Sequence, residues 1–211
     1  MKNILCYGDS NTFGLSPDWI HGHFGRHDIS VRWTGQLQAR LGGDWRIIEE
    51  GLNGRTVCFD DPTMPDRNGL THFRVALESH MPLDLVIIML GTNDTKLLFN
   101  ASVFDIGMGL SQLIQCAKNP FLYSCGAVPR ILIAAPVPLG PEAAANGSAE
   151  QVEKSKALAA QFEQVAKMHQ CEFIDLGAVA SAAPGEGVHL NAQAHTAIAE
   201  AFEKKLREIF G

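Results

Sequence analysis

The 211-residue chain predicts an α/β fold, a three-layer α/β/α sandwich on a five-stranded parallel sheet of flavodoxin-like order. Three observations carry that expectation. Apolar strand-like runs alternate with segments of helical periodicity, which implies a parallel sheet with helices on both faces. The run Leu83-Asp84-Leu85-Val86-Ile87-Ile88-Met89-Leu90 is almost continuously apolar, as a central strand covered on both faces must be. Right-handed crossovers between such strands then leave a doubly wound sheet. The strand-like runs cover residues 3–7, 45–49, 83–90, 130–135 and 171–174, and helical patterns fall near 31–41, 69–80, 102–118, 148–169 and 192–210.

The length suits a single domain over residues 1–211, with no internal repeat, low-complexity tract or linker. The formal charge is −6 and Lys and Arg form no stripe, so neither nucleic acid nor an anionic membrane is the expected partner. No apolar run approaches the ~20 residues of a membrane span. Met1-Lys2 leads straight into a short strand, with no long apolar stretch of the signal-peptide kind. The five cysteines are an odd number. Cys6 and Cys171 lie in or beside apolar runs, and Cys58, Cys116 and Cys125 show no metal spacing. Thiols serving as small core residues in a reduced, cytoplasmic compartment are expected.

Taken in order, the first run ends in Gly8-Asp9-Ser10-Asn11, and Gly8 and Gly14 bracket a tight turn. Ser10 therefore sits just beyond the carboxyl end of a strand, where open α/β sheets place ligand sites. It reads as a nucleophile if a base and oxyanion donors converge on it, or as part of a helix cap with Asp9. The following loop holds His21, His23 and His27 near Asp28. No familiar metal spacing is completed, so it reads as a solvated loop and no metal is expected. Trp33, Leu37 and Leu41 share one helical face, which reads as core.

The second strand runs into Glu49-Glu50-Gly51-Leu52-Asn53-Gly54-Arg55-Thr56. Two glycines let backbone approach a ligand and leave the Gly54 N–H to point at an anion, although a simple strand-to-loop turn reads the same way. Gly91-Thr92-Asn93-Asp94 follows the third strand. The Asn93 amide can donate to a developing oxyanion, or Asn93 and Asp94 can form an Asx turn. Asp94 is expected to order this loop. Last, Glu186 and His189 stand three apart in Gly185-Glu186-Gly187-Val188-His189-Leu190-Asn191. In a helix-like turn both side chains share one side, the carboxylate accepts from Nδ1–H, and Nε2 faces Ser10. Alone, such a histidine also reads as a packed residue beside a helix start. The long pieces 15–30, 58–68 and 136–147 should rise over the same sheet edge and shape a pocket.

Together these motifs, in this order, resemble the SGNH, or GDSL-type, hydrolase superfamily over essentially the whole chain. Val31-Arg32-Trp33-Thr34-Gly35, Glu49-Glu50-Gly51-Leu52 and the run 83–96 resemble the bacterial arylesterase branch, some members of which also catalyse acyl transfer and perhydrolysis. The resemblance implies that Ser10 is the nucleophile and supplies one oxyanion N–H. It makes Gly54 N–H and the Asn93 side chain the other donors, and His189 the general base and then general acid. The family usually carries Asp three residues before this His. Glu186 stands there instead, as a full third member or a weak one whose task falls partly to a backbone carbonyl. Asn11 replaces the Leu common after the Ser and borders the expected acyl pocket, which Phe13 and Trp19 help to form. Asp9 and Asp94 are supporting residues, and no cofactor is implied.

The implied activity is that of a serine esterase acting on small aryl or alkyl esters through an acyl-serine, with acyl transfer or perhydrolysis open to it. A thioesterase, lysophospholipase or carbohydrate acetylesterase would use the same attack. The loops carry few basic residues, which disfavours a phosphorylated or CoA substrate. A reading from another class is a non-catalytic flavodoxin-like binding module, whose first turn cradles a small anion. No Gly-x-Gly-x-x-Gly follows the first strand, so no dinucleotide site is expected. The branch contains large homo-oligomers, so homo-oligomerisation is an expectation here too.

Overall fold

The computed structural model describes residues 1–18, 25–123 and 126–211. Trp19, His21, His23 and Cys125 lie outside the described residues. Strands β1 (Lys2–Gly8), β2 (Trp45–Gly51), β3 (Leu85–Met89), β4 (Arg130–Ala135) and β5 (Glu172–Asp175) form one parallel sheet in the order β2-β1-β3-β4-β5. Ile4 lies opposite Ile47 on one side and Leu85 on the other, and Gly8 lies opposite Gly51 and Met89. The chain winds from β1 outward to β2, then crosses back to β3. The strand order therefore reverses between β1 and β3, and the carboxyl ends there form the crevice that open α/β sheets use for ligands. The third strand is shorter than its apolar run. Asp84, just before it, still bonds through its backbone to the Asn3 carbonyl at 2.9 Å and the Arg130 N–H at 3.0 Å, and its carboxylate also accepts the Asn3 N–H at 2.7 Å.

The α-helices of the described residues are α1 (Ser10–Phe13), α2 (Trp33–Leu41), α3 (Gly69–Ser79), α4 (Val103–Ala117), α5 (Ala143–Asn146), α6 (Ala149–Met168) and α7 (Ala192–Phe210). Helices α1 and α5 are single turns, too short to show a helical period in the sequence.

Successive strand residues face opposite layers. Leu5, Tyr7, Val86, Ile88 and Ile133 pack with Phe73 of α3, Leu110 of α4 and Phe162 of α6. Ile4, Cys6, Ile87 and Leu132 pack with Trp33 and Leu37 of α2 and Phe202 and Leu206 of α7. Each large side chain so buried contributes roughly 1.5–3 kcal/mol, so both faces of the sheet are committed to core. Trp33 belongs to this core, its ring 4.7 Å from that of Phe202. Cys6, Cys58, Cys116 and Cys171 are free thiols.

Polar residues end the helices where the chemistry requires it. Ser102 and Asp105 form a reciprocal capping box at α4. Asn191 Oδ1 accepts the Ala194 N–H at 2.9 Å and fixes the start of α7 two residues after His189. With every strand parallel, the segments after β1, β2 and β4 leave the sheet at the same edge. Residues 137–142, after β4, line a cavity of about 330 Å³ with Ala180, Ser181 and Pro184, and no described residue of 15–30 or 58–68 lines it. No described helix is long and apolar enough to cross a membrane.

Candidate active site

Strand β1 delivers its last residue, Gly8, to the crevice, and the chain turns at once into α1. Asp9 makes the turn: its carboxylate accepts the Asn11 N–H at 2.9 Å, capping α1 with Ser10 as the first helical residue. The N–H groups of a first helical turn have no intrahelical acceptor, so the Ser10 N–H is available to a ligand. Asp9 is almost wholly buried. Its desolvation outweighs the Asn11 bond and the attraction of His189 and Arg55, and lifts its carboxyl to about 6.

His189 comes from the other end of the chain, 179 residues away, and places Nε2 3.0 Å from Ser10 Oγ. Its Nδ1 lies 2.8 Å from Glu186 Oε1. A carboxylate only accepts, so Nδ1 carries the hydrogen and Nε2 presents its lone pair to the serine hydroxyl.

The turn that holds this pair is tight. Gly187 sits at φ 79°, and a Cβ there would lie 2.6 Å from Ala143 N. Glu186 folds back over its own turn, so that Oε2 accepts the N–H of Val188 at 2.8 Å and of His189 at 2.6 Å. The extra methylene relative to Asp is thus absorbed by curling the side chain. Burial works against its ionisation. The hydrogen bond and charge of His189, with the two backbone donors, outweigh it and hold the carboxyl at about 2.

Gly54 lies in the loop after β2 at φ 81°, a conformation that side chains with a Cβ rarely adopt. Arg55 ties this loop to its neighbours. Its Nη1 donates to the carbonyl of Gly8 at 2.9 Å and to that of Glu50, while its guanidinium lies 4.0 Å from the centroid of the Tyr7 ring. The Arg55 carbonyl in turn accepts Asn93 Nδ2 at 3.1 Å. This uses one of the two amide hydrogens of Asn93 and leaves the other for a ligand. Asp94 Oδ1 accepts the Val57 N–H at 2.8 Å, a second tie between the loops after β3 and β2. Asp94 is fully buried, and its Oδ2 has no hydrogen-bond partner among the described residues. Desolvation, with a further push from Asp9, raises its carboxyl to about 7.

Ser10, Glu186 and His189 thus meet directly. Gly54 and Asn93 are joined through Arg55 to Gly8, the end of the strand that leads into Ser10. Asn11 is 4 % exposed, and its carboxamide accepts the Leu190 N–H at 3.1 Å and donates to the Val188 carbonyl at 3.4 Å. Phe13 is half-buried beneath the Arg26 guanidinium, which lies 4.3 Å from its ring centroid. Of the loop histidines, His27 directs Nε2 to the Leu190 carbonyl at 3.2 Å. Sequence reasoning overlooked Arg55 and the backbone contact of His27. The one available signal was an arginine inside a glycine-containing motif.

The family described as GDSL-like Lipase/Acylhydrolase matches residues 6–197. Comparison with curated proteins returns no match. Among solved structures, the chain is similar to Est24, a carbohydrate acetylesterase from Sinorhizobium meliloti, at 36% identity and a TM-score of 0.93, covering 100% of both chains. It is similar to the M. smegmatis aryl esterase at 35% identity and a TM-score of 0.93, again over 100% of both chains. A carbohydrate acetylesterase family member from Sinorhizobium meliloti shares 38% identity at a TM-score of 0.91, with 100% of each chain covered.

Proposed function

We propose, from the premise that this chain belongs to the GDSL-like lipase/acylhydrolase family, that it cleaves small carboxylic esters through an acyl intermediate on Ser10. As a member of that family the chain is an ester hydrolase, and the reading of a non-catalytic binding module gives way to it. The observation that carries the proposal is the 3.0 Å approach of His189 Nε2 to Ser10 Oγ, with Glu186 Oε1 2.8 Å behind the imidazole.

The chemistry follows from that geometry. Ser10 Oγ bonds to the ester carbonyl carbon as its proton passes to His189 Nε2. The carbonyl π electrons move onto oxygen, and the Ser10 N–H, the Gly54 N–H and the Asn93 amide receive the negative charge. Collapse expels the alcohol, which takes the proton from Nε2 and leaves acyl-Ser10. Water then attacks as Nε2 removes its proton, and the second collapse releases the acid and returns the proton to Ser10. Glu186 stays ionised throughout, because its carboxyl is held at about 2, and steadies the imidazolium formed in each half-reaction. An acceptor other than water, such as an alcohol or hydrogen peroxide, would resolve the same acyl-enzyme.

Phe13 and Arg26 stand beside the nucleophile turn and are proposed to border the acyl and leaving groups. A sugar acetate is the second substrate reading, favoured by similarity to two proteins described as carbohydrate acetylesterases. The test is turnover of p-nitrophenyl acetate beside an acetylated sugar. Ser10→Ala is expected to abolish hydrolysis of both while circular dichroism stays unchanged. Wild-type rates in that variant would overturn the proposal.

A further inference from the structure

We propose that Asn11 is a positioning residue, whose carboxamide grips the backbone on both sides of His189 and ties the general base to the residue next to the nucleophile. The inference rests on the reading of His189 as the base and deepens it.

Each backbone polar group of residues 188–190 has a partner. Glu186 Oε2 accepts the N–H of Val188 and of His189. The Ala183 N–H donates to the His189 carbonyl at 2.8 Å. His27 Nε2 reaches the Leu190 carbonyl. The remaining two go to Asn11: the Leu190 N–H donates to its Oδ1 at 3.1 Å, and the Val188 carbonyl accepts from its Nδ2 at 3.4 Å, the longer and weaker bond. Buried backbone groups must find such partners, so this short segment is held at six points. Glu186 and Ala183 belong to the segment's own neighbourhood. The Asn11 contacts reach it from the nucleophile's helix, 177 and 179 residues away in sequence.

Asn11 is itself held. Its N–H bonds to the Asp9 carboxylate, which fixes its backbone in the first turn of α1 beside Ser10. A carboxamide suits the role because it donates with one atom and accepts with the other, as the carbonyl and the N–H require. At 4 % exposure, with both functions engaged, it has little to offer a substrate. The gap it sets has little slack, since Nε2 to Oγ is already 3.0 Å and a hydrogen bond weakens beyond about 3.2 Å. Removing the clamp lets the imidazole drift, and a displacement of that order slows chemistry without weakening ester binding.

The experiment compares Asn11→Leu with wild type on p-nitrophenyl acetate, in the native background and in His189→Ala. Asn11→Leu keeps the volume and removes both bonds. Its kcat is expected to fall about 10- to 100-fold, with KM unchanged within about threefold. In the His189→Ala background the same substitution is expected to cost nothing further, because it acts through the imidazole. Should Asn11→Leu fail to fold, Asn11→Ala takes its place with the same expectation. An unchanged kcat, a rise in KM alone, or an equal loss in the His189→Ala background would each overturn the clamp. Wild-type activity in His189→Ala alone would instead overturn the reading of the base.

Discussion

Glu186 makes three contacts around His189, two to His189 itself and one to Val188: Oε1 lies 2.8 Å from Nδ1, and Oε2 is shared by the Val188 and His189 amides. One carboxylate thus sets both the tautomer of the imidazole and the shape of the turn that presents it. Glu186→Gln keeps the length and removes the charge. We expect kcat to fall about 10²- to 10³-fold, less than in His189→Ala, because a neutral amide can still accept from Nδ1–H but no longer steadies the imidazolium. Steady-state kinetics on p-nitrophenyl acetate checks this, and equal losses in the two variants would mean that the carboxylate is indispensable. The same group bears on stability. Its folded-state value lies below its ordinary one, so its contribution is present above about 4.5 and lost as the pH falls toward about 2. Thermal melts across that window should flatten in Glu186→Gln.

Asn93 is the donor whose second hydrogen stays free while the first holds the Arg55 carbonyl. Asn93→Ala removes both. The expected loss in kcat is about 10²- to 10³-fold, with a smaller change in KM, because the missing bond forms chiefly to the oxyanion. A change confined to KM would assign Asn93 to ground-state binding instead.

Asp94 points to an opposite pH dependence. Burial raises its carboxyl from 3.8 to about 7, so the folded state favours the protonated form. Its stabilising effect is complete below about 3.8 and is lost as the pH rises through about 7. Asp94→Asn keeps an oxygen for the Val57 N–H and cannot ionise. It should therefore raise the melting temperature relative to wild type at pH 8 and change it little at pH 4. A difference independent of pH would show that the carboxyl does not titrate in this window.

Sequence reading reached far because the informative residues are local. The strand runs announce themselves by continuous apolarity, and the observed bounds differ from the expected ones by a residue or two. The Glu186–His189 spacing sits within one turn, so their contact could be anticipated from the chain alone, although Gly187 at φ 79° makes that turn left-handed there and not helix-like. Other features depend on partners far apart in sequence. Arg55 joins the Gly8 carbonyl, 47 residues earlier, to Asn93, 38 residues later, and no periodicity records such ties. Asn11, next to Ser10, bonds backbone atoms from the opposite end of the chain, ties that only the packed fold reveals.

The account stands on an acyl group being carried by Ser10. The most direct measurement is acid-quenched peptide mass mapping of the protein during turnover of p-nitrophenyl acetate. The account predicts a single acetyl group on Ser10, absent from Ser10→Ala. Acetyl on another residue, or sustained turnover in Ser10→Ala with no adduct at Ser10 in wild type, would contradict it.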